Sequence, residues 1–424
     1  MRAEPLVAAL LLAAAGGAQA PATIVVSPDG AAPGAVRTLG TAVRRARAGD
    51  RVVVRAGTYR EPTVVVDRPL TIVGEGRPTL DGEARRELLH VTASGVTVRG
   101  LRFANLGRSY SEDRAALRVT AAGGCVIADN DFDDTFYGVY LADVDGCRVE
   151  GNRFAGRASS EAASGNGIHL WSSRGVTVAG NRVAGHRDGI YLEFARDCRV
   201  ERNASEGNLR YGLHFMYSDS SRYVGNVFRR NGAGVAVMYT RAVEVRGNRF
   251  EDGRGPAAYG LLLKEIGDPV VTGNVFARNT VGLMVDGATR LVAARNRFAA
   301  NGWAVQLQAN AQDARFLAND FAGNSFDVAT NARDAAATFA GNYFDAYRGY
   351  DLDRDGRGDV PHRPVRLFAL LAARHEPAVV LQRSFFVGLL DASERLLPTL
   401  TPDAVVDARP AMRPVAARAP SPAP

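Results

Sequence analysis

Residues 181–228 read NRVAGHRDGIYLEFARDCRVERNASEGNLRYGLHFMYSDSSRYVGNVF, and this stretch decides the fold. It holds Asn181, Asn203 and Asn226, spaced 22 and 23 residues apart. The same mark runs through Asn130, Asn152, Asn181, Asn203, Asn226, Asn248, Asn274, Asn296, Asn319 and Asn342, with one gap stretched to 29 and one to 26. Two residues after the asparagine, eight of the ten units carry Phe: Phe132, Phe154, Phe228, Phe250, Phe276, Phe298, Phe321 and Phe344. A period near 22 with one inward aromatic per unit marks a solenoid.

A second mark follows each asparagine. Gly138, Gly167, Gly189, Gly212, Gly234, Gly260 and Gly282 open GVYL, GIHL, GIYL, GLHF, GVAV, GLLL and GLMV, which alternate as strands do. From each of these glycines to the next asparagine the count is always 14. From asparagine to glycine it is 8 or 9, except 15 after Asn152 and 12 after Asn248. Insertions therefore collect in one arc of the coil, and the arc with the Gly-initiated strand is held fixed. A unit this short cannot hold a helix pair but fits three short strands and three turns. The expected fold is all-β, a right-handed parallel β-helix with an N-terminal cap and an α-helical C-terminal extension. Asn suits the left-handed backbone of tight turns, and stacked Asn side chains can bond along the axis.

The ends set the expected boundaries. Residues 1–20 carry Arg2, the apolar run 6–15 and Ala18-Gln19-Ala20, the pattern of a secretory signal. Residues 21–345 form the solenoid, opened by a helix over 38–48 that covers the first hydrophobic coil. Residues 346–364 are an Asp-rich loop of metal type, 365–400 a helical docking extension, and 401–424 a Pro- and Ala-rich tail expected to be disordered. No apolar run is long enough to span a bilayer, so any membrane association runs through a partner.

The net charge of +7 comes from Arg spread along the coils, with Lys264 the single lysine, and no basic block points to nucleic acid. Cys125, Cys147 and Cys198 each lie five residues before a repeat asparagine. They read as stacked core positions, with a Cys125–Cys147 disulfide between adjacent coils as the alternative.

In each fixed strand the first and third residues after the glycine are apolar and inward, so the second and fourth face out. The second-place residues are Tyr140, His169, Tyr191, His214, Ala236, Leu262 and Met284; the fourth-place residues are Ala142, Trp171, Glu193, Met216, Met238, Lys264 and Asp286. Thioether and imidazole are soft or borderline ligands that select Cu(I). His214, Met216 and Met238 are the central candidates, with Met284 and His169 on the same stripe. The bland reading is an apolar patch covered by the long loops or by a protein partner. Trp171, Tyr191, Glu193, Tyr217, Tyr239 and Lys264 make up that candidate partner face, and Glu193 and Lys264 could pair across coils. The rival class is a carbohydrate-active or carbohydrate-binding β-helix. Its chemistry needs clustered carboxylates, whereas Glu193 and Asp286 lie four coils apart. His90, His186 and His375 show no partners in the pattern and read as structural.

After Asn342 the repeat stops and NYFDAYRGYDLDRDGRGDVPHRPV follows. Asp351, Asp353, Asp355 and Asp359, with Gly356 between, match the first part of a calcium loop. The position of the closing Glu holds His362, so Ca²⁺ or Mg²⁺ in a loop-type site and a metal-free cap are both open. Residues 365–374 and 378–397 read as amphipathic helices.

GLHFMYSD (212–219), GVAVMYT (234–240), AAYGLLLKEIGD (257–268), GLMVDGA (282–288), the Asp-rich segment 342–365 and RSFFVGLLD (383–391) together resemble the NosD family. The resemblance runs over most of the chain, and its specific parts are HFMYSD, LLLKEIGD and DLDRDGRGD; Phe344 stands where the family pattern has Trp. It implies a non-enzymatic periplasmic role in maturing nitrous oxide reductase, supporting assembly of its copper–sulfide centre by copper transfer or scaffolding. Implied partners are the membrane and ATPase subunits of an ABC transporter, the apo reductase and a copper chaperone lipoprotein. The resemblance supplies no ligand set, so a transient copper site at His214, Met216 and Met238 rests on the stripe alone.

Overall fold

The structure is a computed structural model that describes residues 20–30, 33–108, 113–254, 258–331, 337–374, 376–381, 384–396 and 405–415. The expected signal, apart from Ala20, lies outside the described residues, as does His375.

Every coil contributes one strand to each of three sheets. The middle coil quoted above supplies Tyr211–Met216, Arg222–Val224 and Val227–Arg229. Stacking these units gives parallel sheets of 12, 14 and 13 strands, in that order, wound as a right-handed parallel β-helix. Each strand pairs in register with its equivalents one coil away, so like residues form columns ~4.8 Å apart.

The two sequence marks meet in the packing between coils. The Phe two places after the asparagine points into the core, and Phe250, Phe276 and Phe298 stack at 4.8 Å with planes 7° apart. The backbone of the next strand crosses directly over these rings. A Cβ on Gly138 would lie 2.5 Å from the Phe154 ring, and one on Gly212 2.9 Å from the Phe228 ring. At all seven marker glycines the Cβ would also lie within 2.9 Å of a carbonyl oxygen of the next coil, so glycine is needed even where Val183 or Ser205 replaces the phenylalanine.

The asparagines form a buried ladder along the axis. The Asn226 amide oxygen accepts from the backbone N–H of Asn203 at 2.9 Å and from its Nδ2 at 3.0 Å. Nδ2 of Asn226 donates onward to Asn248 Oδ1 and inward to the Val200 carbonyl. This pattern repeats without a break from Asn130 to Asn342. A second ladder, which sequence reasoning missed, stands five residues after the first. Asn208 bonds to Asn231, and Gly253 N–H, Asn279 and Asn301 bond in turn to Asn279, Asn301 and Asn324.

Both ends are covered. Helix α1 (Leu39–Arg45) buries Leu39, Ala42 and Val43 on the first coil. Its free N–H groups are taken by Thr38 Oγ1 and by the Glu61 carboxylate, which bonds Leu39 N and Gly40 N at 2.9 and 2.8 Å. The helix stops before the expected residue 48 because Ala46 is already extended. At the other end α2 (Leu367–Arg374) sits on strand Phe326–Thr330 through Phe368 and Phe326, and α3 (Phe385–Leu396) packs on α2 through Val387. The expected second helix begins only at Phe385; residues 376–381 form a 3₁₀ turn instead.

The tail needs a correction. Composition places 401–424 in a disordered segment, yet residues 405–415 lie against the last coil. Asp407 is fully buried and bridges in parallel to Phe339, as Ala411 does to Tyr343. Its carboxylate accepts from Asn342 N, Asn342 Nδ2 and Gly341 N at 2.8, 2.9 and 3.1 Å. It takes the place of the next rung and ends the ladder. No residue near it in sequence announces this, because the register is set 65 residues away.

Candidate functional site

The outward stripe lies on the 12-stranded sheet. One column runs His90, Arg118, Tyr140, His169, Tyr191, His214, Ala236, Leu262 and Met284; the next runs Trp171, Glu193, Met216, Met238, Lys264 and Asp286. The pleat is as expected. The openness is not: His169, Tyr191 and His214 are buried, and Met216 and Met238 half-buried.

A third column, missed in the sequence, helps to cover them. It consists of the residue just before each marker glycine: Tyr137, Asn166, Asp188, Tyr211 and Tyr259 among them. The Tyr137 ring meets His169 at 5.3 Å, and Tyr211 meets His214 at 4.7 Å. Tyr211 and Tyr259 hydroxyls lie 3.4 Å apart. At the near end Tyr140, His169 and Tyr191 stack at 4.5 and 4.8 Å, capped by the Arg118 guanidinium over Tyr140. His169 is thus a wedged ring whose Nδ1 is 3.0 Å from Asn166 Nδ2. Burial and the nearby Arg187 push its pKa down to about 3.

His214 sits differently. Asp188 is fully buried; burial raises its carboxyl, but Arg210 and His214 outweigh this and hold it at about 2. Arg210 Nε bonds Asp188 Oδ1 at 2.9 Å. His214 Nδ1 is 3.8 Å from Asp188 Oδ2 and 3.4 Å from Arg210 Nη2. Its other nitrogen, Nε2, is buried without a hydrogen-bond partner among the described residues. A buried imidazole nitrogen is costly to leave without a hydrogen bond or a ligand.

Two residues along the same strand, Met216 stands in register with Met238 on the adjacent coil. Tyr191 Oη lies 3.8 Å from Met216 Sδ, a weak contact that leaves the thioether available. His214, Met216 and Met238 are therefore neighbours. The other two candidates are not: His169 is two rungs from His214 and Met284 three, roughly 10 and 14 Å. Glu193 and Lys264 are likewise three rungs apart, too far to pair; Lys264 stands in register with Asp286.

Beside the thioethers runs an exposed aromatic row. Phe194, Tyr217 and Tyr239 occupy the fifth place after the glycine on successive coils and stack at 5.3 and 5.2 Å. They are 51, 46 and 39 % exposed, and Trp171 is exposed one coil earlier. All three sit at φ of +47 to +54°, which costs a bulky residue on the order of 1 kcal/mol each. Phe194 extends this row by one coil beyond the expected Tyr217 and Tyr239.

In the Asp-rich loop, ligand oxygens of Asp351, Asp353 and Asp359 lie within 4.8 Å of one another. Asp355 does not join them. Its carboxylate takes the N–H of Arg357 and pairs with Arg409. The three expected core cysteines are buried and free; Cys125 N–H points at Cys147 Sγ at 3.3 Å.

Comparison with known proteins bears on this arrangement. A family model described as periplasmic copper-binding protein (NosD) matches residues 155–349. A probable ABC transporter binding protein NosD of Pseudomonas aeruginosa is 34 % identical over 390 residues, covering 87 % of this chain and 90 % of the relative. One of the same name from Stutzerimonas stutzeri is 27 % identical over 405 residues, covering 91 % and 92 %. Among solved structures, the catalytic unit of a GH87 α-1,3-glucanase from Streptomyces thermodiastaticus aligns with a TM-score of 0.56 at 16 % identity, covering 78 % of this chain and 71 % of that one. At that identity the likeness is one of fold alone.

Proposed function

The chain belongs to the NosD family, and on that premise we propose that it is a periplasmic accessory protein for nitrous oxide reductase maturation. It carries Cu(I) transiently on the outward face of the 12-stranded sheet and passes it towards the copper–sulfide centre of the reductase. The observation that carries this reading is the placement of His214, with its unpartnered Nε2, two residues along the strand from Met216, which stands in register with Met238. Cu(I) prefers such soft donors. Binding at Nε2 needs the proton on Nδ1, where the Arg210 Nη2 donor now lies at 3.4 Å; copper entry therefore requires Nδ1 to turn from Arg210 to the Asp188 carboxylate, 3.8 Å away. Two thioethers and one imidazole on rigid strands give a site that can release its ion, as a carrier must.

The aromatic row of Phe194, Tyr217 and Tyr239, with Trp171, receives the protein partner next to the copper. Large rings held in a strained backbone at the surface are what a partner face needs and a solvated turn does not. The relatives' name points to an ABC transporter as a second partner. For that contact α3 offers Phe385 and Leu389, 88 and 54 % exposed. No helix among the described residues is long and apolar enough to cross a membrane, so docking is through this face. A carbohydrate-cleaving role finds no support in the stripe, because Glu193 and Asp286 stand four rungs, roughly 19 Å, apart.

Anaerobic competition with a chromophoric Cu(I) chelator tests the site. The mature protein should hold Cu(I), and the variant His214→Ala/Met216→Ala/Met238→Ala should lose at least tenfold in affinity, about 1.4 kcal/mol. Equal competition by both proteins would remove copper from the stripe and leave a docking scaffold. The carboxylates of Asp351, Asp353 and Asp359 are spaced to share one Ca²⁺ or Mg²⁺. Millimolar Ca²⁺ should raise the melting temperature over that in chelator, and Asp353→Asn should abolish the rise; no difference would make the loop a metal-free cap.

A further inference from the structure

A cavity of about 430 Å³ opens where the second asparagine ladder stops. Its floor is His186, which takes the ladder position before Asn208 and donates its backbone N–H to Asn208 Oδ1 at 3.0 Å. The ladder cannot continue, because the preceding coil carries the long insertion between Asn152 and Gly167. That insertion arches over the gap and is pinned at both ends. Gly156 N and Ala158 N donate to Ala184 O and Gly185 O at 2.8 Å, and Arg187 N donates to Gly165 O at 2.9 Å. The backbones press close here: a Cβ on Gly156 would meet Gly185 O at 2.5 Å and the His186 ring at 2.9 Å.

Two residues that line this cavity each carry a buried side-chain atom with no hydrogen-bond partner among the described residues, Nε2 of His186 and Oγ1 of Thr135, which an anion reaches once these side chains turn towards it. His186 is buried completely, and burial pushes its pKa down to about 4, so its ring is neutral and can donate from Nε2. The Ser164 hydroxyl also lines the space. At the rim stand the guanidiniums of Arg108 and Arg157, with Asp134 the single carboxylate in the lining. Arg108 is held in place by neutral oxygens, Ser159 Oγ at 3.0 Å and the Arg157 carbonyl at 2.8 Å, so its charge stays unspent. Neither guanidinium meets a carboxylate among the described residues.

We propose that this cavity is a binding site for a small oxyanion, a carboxylate, sulfate or phosphate, taken by the two rim arginines and by the unpartnered His186 and Thr135 at its base. Orphaned donors inside and guanidiniums at the entrance are the arrangement that such an anion satisfies. The site is separate from the copper stripe: it lies on the corner between the phenylalanine-bearing sheet and the 12-stranded sheet, and it needs neither thioether.

The test uses the whole mature protein. Sodium sulfate, phosphate, acetate and citrate are titrated at constant ionic strength against a chloride control, by calorimetry and by thermal melting. At least one should bind saturably in the millimolar range or tighter and raise the melting temperature. Arg157→Gln and Thr135→Val should each weaken it tenfold or more while leaving the ligand-free melting curve in place. Arg157 lies at the rim, so its replacement keeps the test valid if Thr135→Val fails to fold. Cu(I) competition should be unchanged in Arg157→Gln. No saturable binding by any of the four anions, or equal binding by Arg157→Gln, would overturn the proposal and leave the cavity to water.

Discussion

Acidification from about pH 7.5 to about pH 5 is expected to lower the free energy of unfolding by roughly 5 kcal/mol. Three histidines carry most of this, and His90, also lowered by burial, adds in the same direction. Burial pushes His169 down to about 3, and His186 and His362 to about 4, from an ordinary value of 6.5. The unfolded chain therefore binds these protons as the pH falls through 6.5, while the folded chain refuses them until about pH 4. The stability they represent is complete above pH 6.5 and is lost below it. At about pH 5 each contributes a loss of about 2 kcal/mol. One group opposes them. Burial raises Asp327 to about 6, so the native state gains a proton in this window and recovers on the order of 1 kcal/mol. Asp188, held at about 2, begins to matter only below its ordinary 3.8. Urea unfolding at the two pH values measures the difference, and His362→Gln should remove about a third of it. A midpoint that does not move between them would mean these rings take up protons in the folded state.

His362 also shows why such features escape a reading of the sequence. In the Asp-rich segment it occupies the place of a calcium ligand, and only its neighbours in space decide otherwise. Its ring lies on Phe344 at 4.4 Å and against Tyr347 at 5.6 Å, with Nε2 buried and unpartnered. The solenoid itself was legible because its constraints are local and recur. The Asn, the Phe two places later and the Gly at which neighbouring coils press together recur in coil after coil. The second ladder obeys the same logic five residues on, yet His186 and Gly253 interrupt it, so the pattern dissolves into scattered asparagines. The His214–Met216–Met238 group was visible from strand alternation. Asp188 and Tyr211, which orient and cover His214, were not, because the chain bends at the marker glycine and turns the residue before it to the outer face.

The exposed aromatics extend the point. Strand alternation predicts which side chains face outward only as long as the backbone stays extended. At Phe194, Tyr217 and Tyr239 the chain enters the left-handed region, and the rings swing outward into one row. A tight turn would ordinarily select Gly or Asn at such a place. Aromatics there on three successive coils oppose the local preference of the backbone, and such opposition is expected where the surface has work to do.

Within the asparagine ladder, Asn226→Asp should destabilise the protein by about 3–5 kcal/mol, whereas Asp407→Asn should cost only about 1 kcal/mol. The same pair of side chains exchanged at two rungs gives unequal results because the rungs have different duties. An interior rung must accept on one side and donate on the other. Asn226 takes the N–H and Nδ2 of Asn203, then gives its own Nδ2 hydrogens to Val200 O at 2.8 Å and Asn248 Oδ1 at 2.9 Å. A carboxylate there can still accept but has nothing to donate, and sets a buried negative oxygen against two lone-pair acceptors. The terminal rung has only to accept. Asp407 receives three N–H groups from Gly341 and Asn342, so a charged acceptor is an asset at that end. Asp407→Ala should fall between the two, at about 3 kcal/mol, since it leaves those donors buried without partners. Urea unfolding of the three variants at neutral pH gives the order. If Asn226→Asp proves no more costly than Asp407→Asn, the ladder does not have a direction and Asp407 is not its terminus.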